Sequence, residues 1–518
     1  MMSLDQQQVG LDEEWNGLDK KKTTALKKAL QFSLLLGCII GSLNVNGAAA
    51  MTVPGDAARN LEDFKTQLDD QIPKWQKKYG VPGVAVGIVH DGELAYQLNY
   101  GYADQDKDLP VTDQTVFQAG SISKSLTAWG ILHLADQGVL SLDDPVNKHL
   151  SGWQLQASDG LDPDKVTIRQ LLSHTAGLPA HRGYLGVAPG KRLPTLEESL
   201  SGEGGYNKPV TLTNPPGEQA VYSGAGYTLL QLVIEEATGL PFASYMDEEV
   251  LKPLKMASST FQQVTDIPEM AKTYGYFGQV LPDYRFAEQA AAGLRTNVTD
   301  LVNVLLASME RGQGNPSGGG LLPTPFINEM QTPVLGENGL GVFVRKLPQN
   351  LSLIYHDGSN RGWHSFYGWI PATRDGLVIL TNSENGVDLR QNVYTAWLKY
   401  ETGEFPDSYY AIKQMRETND MIAMALGIAL GVYGLVFIWR LRGGRRGFIA
   451  THPKKPYIRL ALRSLLLLLT GSALLCAGYV WSVLSLYSGY KTIYLWVLVW
   501  HAALLITGWF PKKPKPIA

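Results

Sequence analysis

The sequence predicts an α/β domain, in which an antiparallel sheet flanked by helices is joined to an all-helical region, followed by an all-α membrane domain. Strand patterns occur at both ends of the central part of the chain, at residues 84–100 and 353–381. Helical patterns fill the stretch between them, and three uncharged apolar segments follow near the C-terminus. Strands from both ends of a block assemble most simply into one sheet with the helices inserted between them.

Composition limits the classes of protein to which the chain can belong. Its 518 residues, 45% hydrophobic and 18% charged, allow about three domains and exclude a disordered chain. A net charge of −3 indicates no nucleic-acid partner. Two cysteines, Cys38 and Cys476, exclude a disulfide framework and a multi-cysteine metal site. No H-E-x-x-H or other metal-binding spacing occurs in the sequence, so we predict neither a metal nor a cofactor.

The N-terminus has the pattern of an export signal. Basic residues at Lys20–Lys28 precede an apolar run from Leu30 to Val45, and small residues follow at Gly47–Ala50. This order of a basic flank, a short apolar centre and small residues is typical of a signal peptide. Residues 1–50 are therefore predicted to be an N-terminal extension with a signal peptide, and an uncleaved membrane anchor is the alternative. In both cases the block that follows leaves the cytoplasm.

Three transmembrane helices are predicted within residues 420–511. The uncharged segments Met421–Trp439, Ser464–Leu486 and Thr492–Phe510 each approach the roughly 20 residues that span a bilayer. The segment Arg440–Arg463 holds eight Lys or Arg residues and no acidic residue, which places it in the cytoplasm. The chain is thus predicted to be a multi-pass protein of the inner (cytoplasmic) membrane, with the preceding block facing the periplasm or the cell exterior.

The first of these segments contains glycines at close spacing, Gly427, Gly431 and Gly434. Small residues let helices approach closely in a bilayer. They are consistent with packing within the anchor or with a homodimer formed through the membrane helices.

Residues 56–404 are predicted to form one soluble domain. Apolar residues from Leu61 to Trp75 recur at helical spacing and predict an opening amphipathic helix. Two apolar runs separated by Asp91-Gly92 predict a hairpin. The remaining predicted strands are Leu353–His356, Ser365–Ile370 and Gly376–Thr381, and the predicted helices are Ser123–Gln137, Tyr227–Thr238 and Asn297–Arg311.

The chemically most informative segment is Ser121-Ile-Ser-Lys124 at the start of a predicted helix. A serine and a lysine three residues apart lie on one face of a helix. A serine hydroxyl is a weak nucleophile until a neighbouring base removes its proton, and a buried lysine can be that base. The tetrad alone is equally typical of an N-cap serine followed by a solvated lysine, and a second copy occurs at Ser488–Lys491.

The surroundings of Ser121 resemble the serine β-lactamase-like and penicillin-binding protein family, in particular its class C β-lactamase branch with the S12-type peptidases. The resemblance covers about Asp56–Gly386 and implies the α/β fold of that family, with the active site at the boundary with the helical region. The segments that carry it, in the order of the family, are Phe117–Thr127, Gly138–Pro145, Val166–Leu178, Pro216-Gly217, Tyr222–Tyr227 and His356–Asn360.

The resemblance implies a role for each residue of the site. Ser121 would be the acylated nucleophile, Lys124 its general base and Tyr222 the group that relays a proton to the leaving amine. The backbone N–H groups of Ser121 and Ser359 would form the oxyanion hole. His174 would be structural, because its motif has that role in the family. The substrate-binding positions implied by the motifs are His356, Gly358, Asn360 and Gly224.

Two departures from the family's motifs affect the expected substrate. Gly224 stands where the Y-x-N motif has asparagine, and His356 stands where the K-T-G motif has lysine. Histidine is mostly neutral near pH 7 and does not supply a fixed charge for a substrate carboxylate, which argues against efficient β-lactam hydrolysis. Arg295 and Arg361 either replace that charge or are ordinary arginines. The segment Ala180–Val210 either overhangs the cleft or is a plain surface loop.

These observations predict a membrane-anchored, extracytoplasmic serine hydrolase that acts through an acyl-enzyme. The expected substrates are peptides or small molecules that contain D-amino acids, such as a cell-wall peptide or an N-acyl peptide prodrug. The order of export signal, hydrolase block and three membrane helices resembles that of prodrug-activating peptidases, which include the colibactin-maturing enzyme. An esterase of the same family and a non-catalytic receptor for penicillins or cell-wall fragments are the alternatives.

Overall fold

The computed structural model describes residues 60–158, 160–181, 183–205, 207–264, 267–310, 316–446, 458, 460–472 and 489–510. The predicted signal peptide or anchor at 1–50 lies outside the described residues. The same is true of most of the second predicted membrane segment, from residue 473 onward.

Strands are numbered in chain order. They are β1 Gly83–His90, β2 Glu93–Asp104, β3 Leu109–Pro110, β4 Phe117–Gln118, β5 Gln156–Ala157, β6 Thr211–Leu212, β7 Thr273–Tyr274, β8 Val280–Leu281, β9 Arg295–Thr296, β10 Phe343–Lys346, β11 Ser352–Asn360, β12 Trp363–Ile370 and β13 Asp375–Thr381.

Helices are numbered in the same way, and short 3-10 turns are left unnumbered. The helices are α1 Leu61–Tyr79, α2 Ser123–Asp136, α3 Ile168–Leu172, α4 Leu196–Ser201, α5 Gly224–Thr238, α6 Phe242–Met246, α7 Gln289–Ala292, α8 Val298–Ala307, α9 Thr324–Met330, α10 Gly386–Thr402, α11 Asp407–Arg442, α12 Leu460–Ser472 and α13 Gly489–Gly508.

The main sheet joins strands from both ends of the domain, as the sequence predicts. Its seven strands follow the order β10-β11-β12-β13-β1-β2-β3, and each neighbouring pair is antiparallel. Val86 in β1 lies opposite Ile379 of β13 and Leu98 of β2, so the first described strand is an interior strand of the sheet, next to the central strand β13. The last strand, β13, pairs with the first, β1, and therefore joins the two ends of the domain.

Both faces of the sheet are covered, which explains why its central strands are almost continuously apolar. Helices α1 and α10 pack on one face in a core that includes Leu68, Val86 and Trp397. On the other face, helices α2 and α8 contribute Trp129 and Leu301 to the larger core. The nucleophile helix α2 is thereby buried between the sheet and the helical region.

The described residues of the C-terminal part of the chain are mainly helical. Among the described residues one helix, Tyr409–Arg442, is long and apolar enough to cross a membrane, and the apolar helices Leu460–Ser472 and Leu495–Gly508 are shorter. The first predicted span, Met421–Trp439, thus lies within α11, and the third lies within α13 apart from its last two residues. The multi-pass arrangement stays a prediction.

Helices α11 and α13 contact each other within the chain. The Trp500 indole donates a hydrogen bond of 3.1 Å to the Leu426 carbonyl oxygen, and the hydroxyls of Tyr433 and Thr507 are 2.7 Å apart. A side chain at Gly427 would contact Trp496 of α13 at 3.0 Å. Gly427 therefore packs against a helix of its own chain, and the predicted homodimer contact stays a prediction.

Candidate active site

Ser121 lies in a tight turn between the sheet and the nucleophile helix. The turn Gly120–Ile122 is a 3-10 helix that runs directly into α2. Gly120 has a φ of 54°, and a Cβ atom there would lie 2.6 Å from the Ser359 backbone nitrogen. The Ser123 hydroxyl donates to the Gly120 carbonyl at 2.6 Å and accepts from the Leu294 N–H at 2.9 Å. These contacts hold the Ser121 turn directly against β11.

Lys124 lies one helical turn after Ser121 and faces it. Its Nζ is 3.2 Å from the Ser121 Oγ and donates a 2.7 Å hydrogen bond to the Ala291 carbonyl oxygen. The side chain is only 3% exposed. Burial lowers the pKa of Lys124 to about 7, although the nearby Asp357 carboxylate opposes this shift. A large fraction of this amine is therefore neutral near pH 7 and able to accept a proton.

Tyr222 completes the group around the nucleophile. Its ring centroid is 5.2 Å from the Lys124 Nζ. Burial raises the pKa of the Tyr222 phenol, while a hydrogen bond with Ser121 lowers it. The phenol thus stays protonated at neutral pH and lies close to the hydroxyl of the predicted nucleophile. Tyr222, which is distant in sequence from Ser121 and Lys124, thus lies together with them at one point.

His174 supports the loop that presents Tyr222. Its Nδ1 accepts a 3.2 Å hydrogen bond from the Ser223 N–H, and its carbonyl oxygen accepts one of 2.8 Å from the Val221 N–H. Its ring lies 4.4 Å from that of Tyr222. Burial and the charge of Lys124 hold the pKa of His174 well below its usual value. These contacts agree with the structural role that the sequence predicts for His174.

His356 and Gly358 lie on the part of β11 that faces the nucleophile turn. A Cβ atom at Gly358 would lie 1.9 Å from the Ala119 carbonyl oxygen, so only glycine allows this approach. The His356 Nδ1 donates to the Asp357 carbonyl oxygen at 2.6 Å. Its Nε2 is buried and has no hydrogen-bond partner within the described part of the chain. Burial lowers the pKa of His356 to about 4, so this imidazole is neutral at neutral pH.

Asn360 lies at the end of the same strand, and its side-chain amide forms hydrogen bonds with neighbouring elements of the fold. Its Nδ2 donates to the Gln118 Oε1 at 2.8 Å and to the Ala292 carbonyl oxygen at 3.0 Å. These bonds tie β11 to the strand before Ser121 and to α7, which carries the Lys124 acceptor. The contact of Asn360 with substrate stays a prediction. Because both N–H groups of its amide already donate within the protein, only the amide oxygen could make that contact.

The two arginines that could replace the missing lysine charge differ in their surroundings. Arg295 is buried and ion-paired with Asp283 at 2.7 Å. The Arg361 guanidinium lies 4.0 Å from the centre of the Tyr284 ring. Arg295 is therefore an internal structural residue, and its charge is already paired.

Sequence reasoning left the segment 180–210 open and singled out no residue within it. The structure places His181 of this segment beside Gly224, the first residue of α5: a Cβ atom at Gly224 would lie 3.1 Å from the His181 Nδ1. No motif in the sequence marks His181, because its position depends on how the loop folds back. The segment reaches the site and is more than a plain surface loop.

Comparisons with known proteins agree with this geometry. A model of the Beta-lactamase family matches residues 59–401. Protein flp of Staphylococcus aureus (strain MW2) is 25% identical over 75% of this chain and 77% of its own length. The crystal structure of SurE with D-Leu is 26% identical with a TM-score of 0.52, and covers 65% of this chain and 75% of SurE. A class C β-lactamase structure, 22% identical, has the same fold with a TM-score of 0.53 over 68% of this chain and 99% of its own.

Proposed function

The chain belongs to the Beta-lactamase family, and we propose that it is a membrane-anchored serine hydrolase that cleaves amide bonds beside D-amino acids outside the cytoplasm. The observation that carries the proposal is the position of the Lys124 Nζ, 3.2 Å from the Ser121 Oγ, in surroundings that lower its pKa to about 7. A neutral amine beside a serine hydroxyl is the arrangement that general-base activation requires.

The reaction proceeds in two steps. In the first, the Ser121 Oγ attacks the substrate carbonyl carbon while its proton passes to the Lys124 Nζ. The backbone N–H groups of Ser121 and Ser359 bind the negative oxygen that develops. Tyr222 passes its proton to the leaving amine and takes up the proton held by Lys124, the carbon–nitrogen bond breaks, and an ester to Ser121 remains. In the second step, water activated by the same groups hydrolyses this ester and restores the serine.

One observation supports a preference for D-residues, and a second concerns the charge of the substrate. SurE, which has the same fold and is 26% identical over the part that covers 65% of this chain, has been crystallised with D-Leu. The neutral His356 replaces a cationic lysine, which favours substrates whose recognition does not depend on a fixed positive charge. Peptide prodrugs and cell-wall peptides cleaved within the chain meet this condition.

Membrane anchoring is supported by helix α11. It begins five residues after α10 ends and includes a 34-residue stretch, Tyr409–Arg442, with the length and apolarity of a membrane span. Arg440 and Arg442 lie in the last turn of this helix, which favours a cytoplasmic position for its C-terminal end. The hydrolase domain then lies on the opposite side, in the periplasm or at the cell exterior.

The proposal is tested with Ser121→Ala in the full-length protein purified in detergent. Hydrolysis of N-acyl D-amino amides is expected to fall by at least ~1000-fold, because the attacking oxygen is lost. Ser125→Ala in the same helix is the matched control, since its hydroxyl donates to the Gly341 carbonyl oxygen and not to the site. Undiminished hydrolysis by the Ser121 variant would refute the mechanism.

An esterase is the second candidate, and the neutral His356 favours it, because a simple ester needs no cationic anchor. Matched amide and ester substrates with the same acyl group separate the two. A higher kcat/KM for the D-residue amide than for the corresponding L-residue amide supports the peptidase, whereas turnover confined to esters supports the esterase.

A further inference from the structure

Beside Tyr222, the imidazole of His181 lies next to Gly224, a position at which the family's motif has a side chain. Gly224 lacks the side chain that the third position of the Y-x-N motif carries. A Cβ atom at Gly224 would lie 3.1 Å from the His181 Nδ1 and 3.1 Å from the Tyr184 ring. The space that a side chain at position 224 would need is therefore occupied by two rings from a different segment of the chain.

His181 is fixed next to Tyr222 by its backbone. Its N–H donates to the Tyr222 carbonyl oxygen at 3.1 Å, and its own carbonyl oxygen accepts from the Gly224 N–H at 2.8 Å. The imidazole lies 4.4 Å from the Tyr184 ring, whose hydroxyl forms a 2.5 Å hydrogen bond with Thr228 of α5. The hydrogen bonds thus fix the backbone of His181 beside Tyr222, and the Tyr184 ring packs against its imidazole.

The imidazole of His181 has an unused polar atom. Its Nδ1 is buried, and none of the described residues forms a hydrogen bond with it. Burial and the charge of Lys124 lower the pKa of His181 to about 4, so the ring is uncharged at neutral pH. A buried polar atom without a partner is unfavourable unless a ligand supplies the partner.

We propose that His181 contacts the substrate in place of the missing motif side chain, by a hydrogen bond to an uncharged amide group in the acyl half. This inference rests on the proposed function, because it concerns the same acylation site. An amide offers both a C=O acceptor and an N–H donor and therefore matches a neutral imidazole in either tautomer. A carboxylate at this point would gain no ion pair from it.

The test compares two substrates in the full-length protein. One is an N-acyl D-amino amide, which has an amide in its acyl half, and the other is 4-nitrophenyl acetate, which has none. We expect His181→Ala to lower kcat/KM for the first by about 10- to 100-fold and for the second by about twofold at most. His90→Ala, which removes a histidine whose side chain is 46% exposed at the end of β1, is the control and leaves both values unchanged.

A swap variant tests the replacement itself. His181→Ala combined with Gly224→Asn returns the side chain to its place in the motif and removes one of the two rings that crowd it. The Tyr184 ring, 3.1 Å from the Cβ position, then has to shift by only a few tenths of an ångström. We expect this double variant to recover amide hydrolysis to within about fivefold of the original protein. Gly224→Asn alone is expected to be as slow as His181→Ala, since the introduced asparagine side chain would meet the His181 ring.

Equal losses for both substrates in His181→Ala would overturn the inference, because they would show a structural role. Unchanged amide hydrolysis, or no recovery in the double variant, would overturn it as well. If His181→Ala fails to fold, His181→Gln, which keeps a hydrogen-bonding group, replaces it and is expected to retain more than about a tenth of amide hydrolysis. Loss of activity in Ser121→Ala, measured in parallel, shows that the proposed function stands whatever the result at His181.

Discussion

At the scale of single residues, the site depends on the burial of one amine. Lys124 is enclosed by α2, α7 and the Tyr222 loop, and its Nζ contacts the Ser121 Oγ and the Ala291 carbonyl oxygen. Burial favours the neutral amine, and its pKa of about 7 places the change of charge near neutral pH. Burial thus lets Lys124 act as a base near neutral pH, although a lysine side chain in water is a cation at that pH.

This gives a pH dependence with a definite sign. Because only neutral Lys124 accepts the serine proton, kcat/KM should fall about tenfold for each pH unit below the pKa and level off above it. The measurement is kcat/KM for an amide substrate between pH 5 and pH 9. Lys124→Arg, whose guanidinium stays charged, should be inactive throughout this range; a flat profile in the original protein would contradict the assignment of the base.

Tyr222 supplies a second prediction at this scale. Tyr222→Phe keeps the ring against His174 and removes only the hydroxyl that contacts Ser121. We expect kcat to fall by about 100- to 10000-fold, since proton transfer in the transition state contributes that much. The melting temperature, followed by circular dichroism, should change little. A loss of kcat that accompanies unfolding would contradict this role, because it would show that the hydroxyl stabilises the fold and does not transfer a proton.

At the scale of elements, the nucleophile turn and β11 form a unit that depends on close backbone contact. Gly120 has a positive φ and lies against the Ser359 nitrogen, where the predicted oxyanion hole forms. A side chain at this position would be strained and would push the turn away from the strand.

The matched pair Gly120→Ala and Gly138→Ala tests this contact. Gly138 also has a positive φ, 72°, but a Cβ atom there would meet no atom of the described residues within 4 Å. Both variants should lose about 1–2 kcal/mol of stability from backbone strain, whereas only Gly120→Ala should lose activity, by about 100-fold or more. Urea unfolding and kcat/KM measure the two effects separately. Similar activities in the two variants would exclude a role for the turn's contact with β11.

The elements themselves were largely predictable from the sequence. Strands at both chain ends and helices such as Ser123–Gln137 have apolar periodicities that burial on the sheet explains, and the observed bounds differ from the predicted ones by a few residues. The short strand β10 and the reach of segment 180–210 were not predictable. Both depend on contacts between residues that are distant in sequence, such as Phe343 with Tyr355 and His181 with Gly224.

At the scale of the whole molecule, one chain combines a hydrolase domain with an apolar C-terminal region. The described residues include one helix that fits a bilayer, and the motif order predicted the family that the comparisons show. Motifs identified Ser121, Lys124 and Tyr222 from sequence because spacing and residue type carry that information. They did not reveal the surroundings that set the pKa of Lys124, because burial is a property of the folded chain.

The proposed anchoring predicts where the protein is found. The full-length chain should sediment with membranes and resist extraction at alkaline pH, because α11 buries its apolar surface in lipid. A chain that ends at Glu404, before α11, should lose this association. Immunoblots of membrane and soluble fractions measure the difference. Recovery of the full-length chain in the soluble fraction would contradict the anchor and leave the active site unaffected.

The most direct test of the central claim is the intact mass of the full-length protein after brief incubation with N-acyl D-amino amides. The account predicts one added acyl group, which peptide mapping places on Ser121, and its absence in Ser121→Ala and Lys124→Arg. An adduct on another residue, or the same adduct in Lys124→Arg, would contradict it.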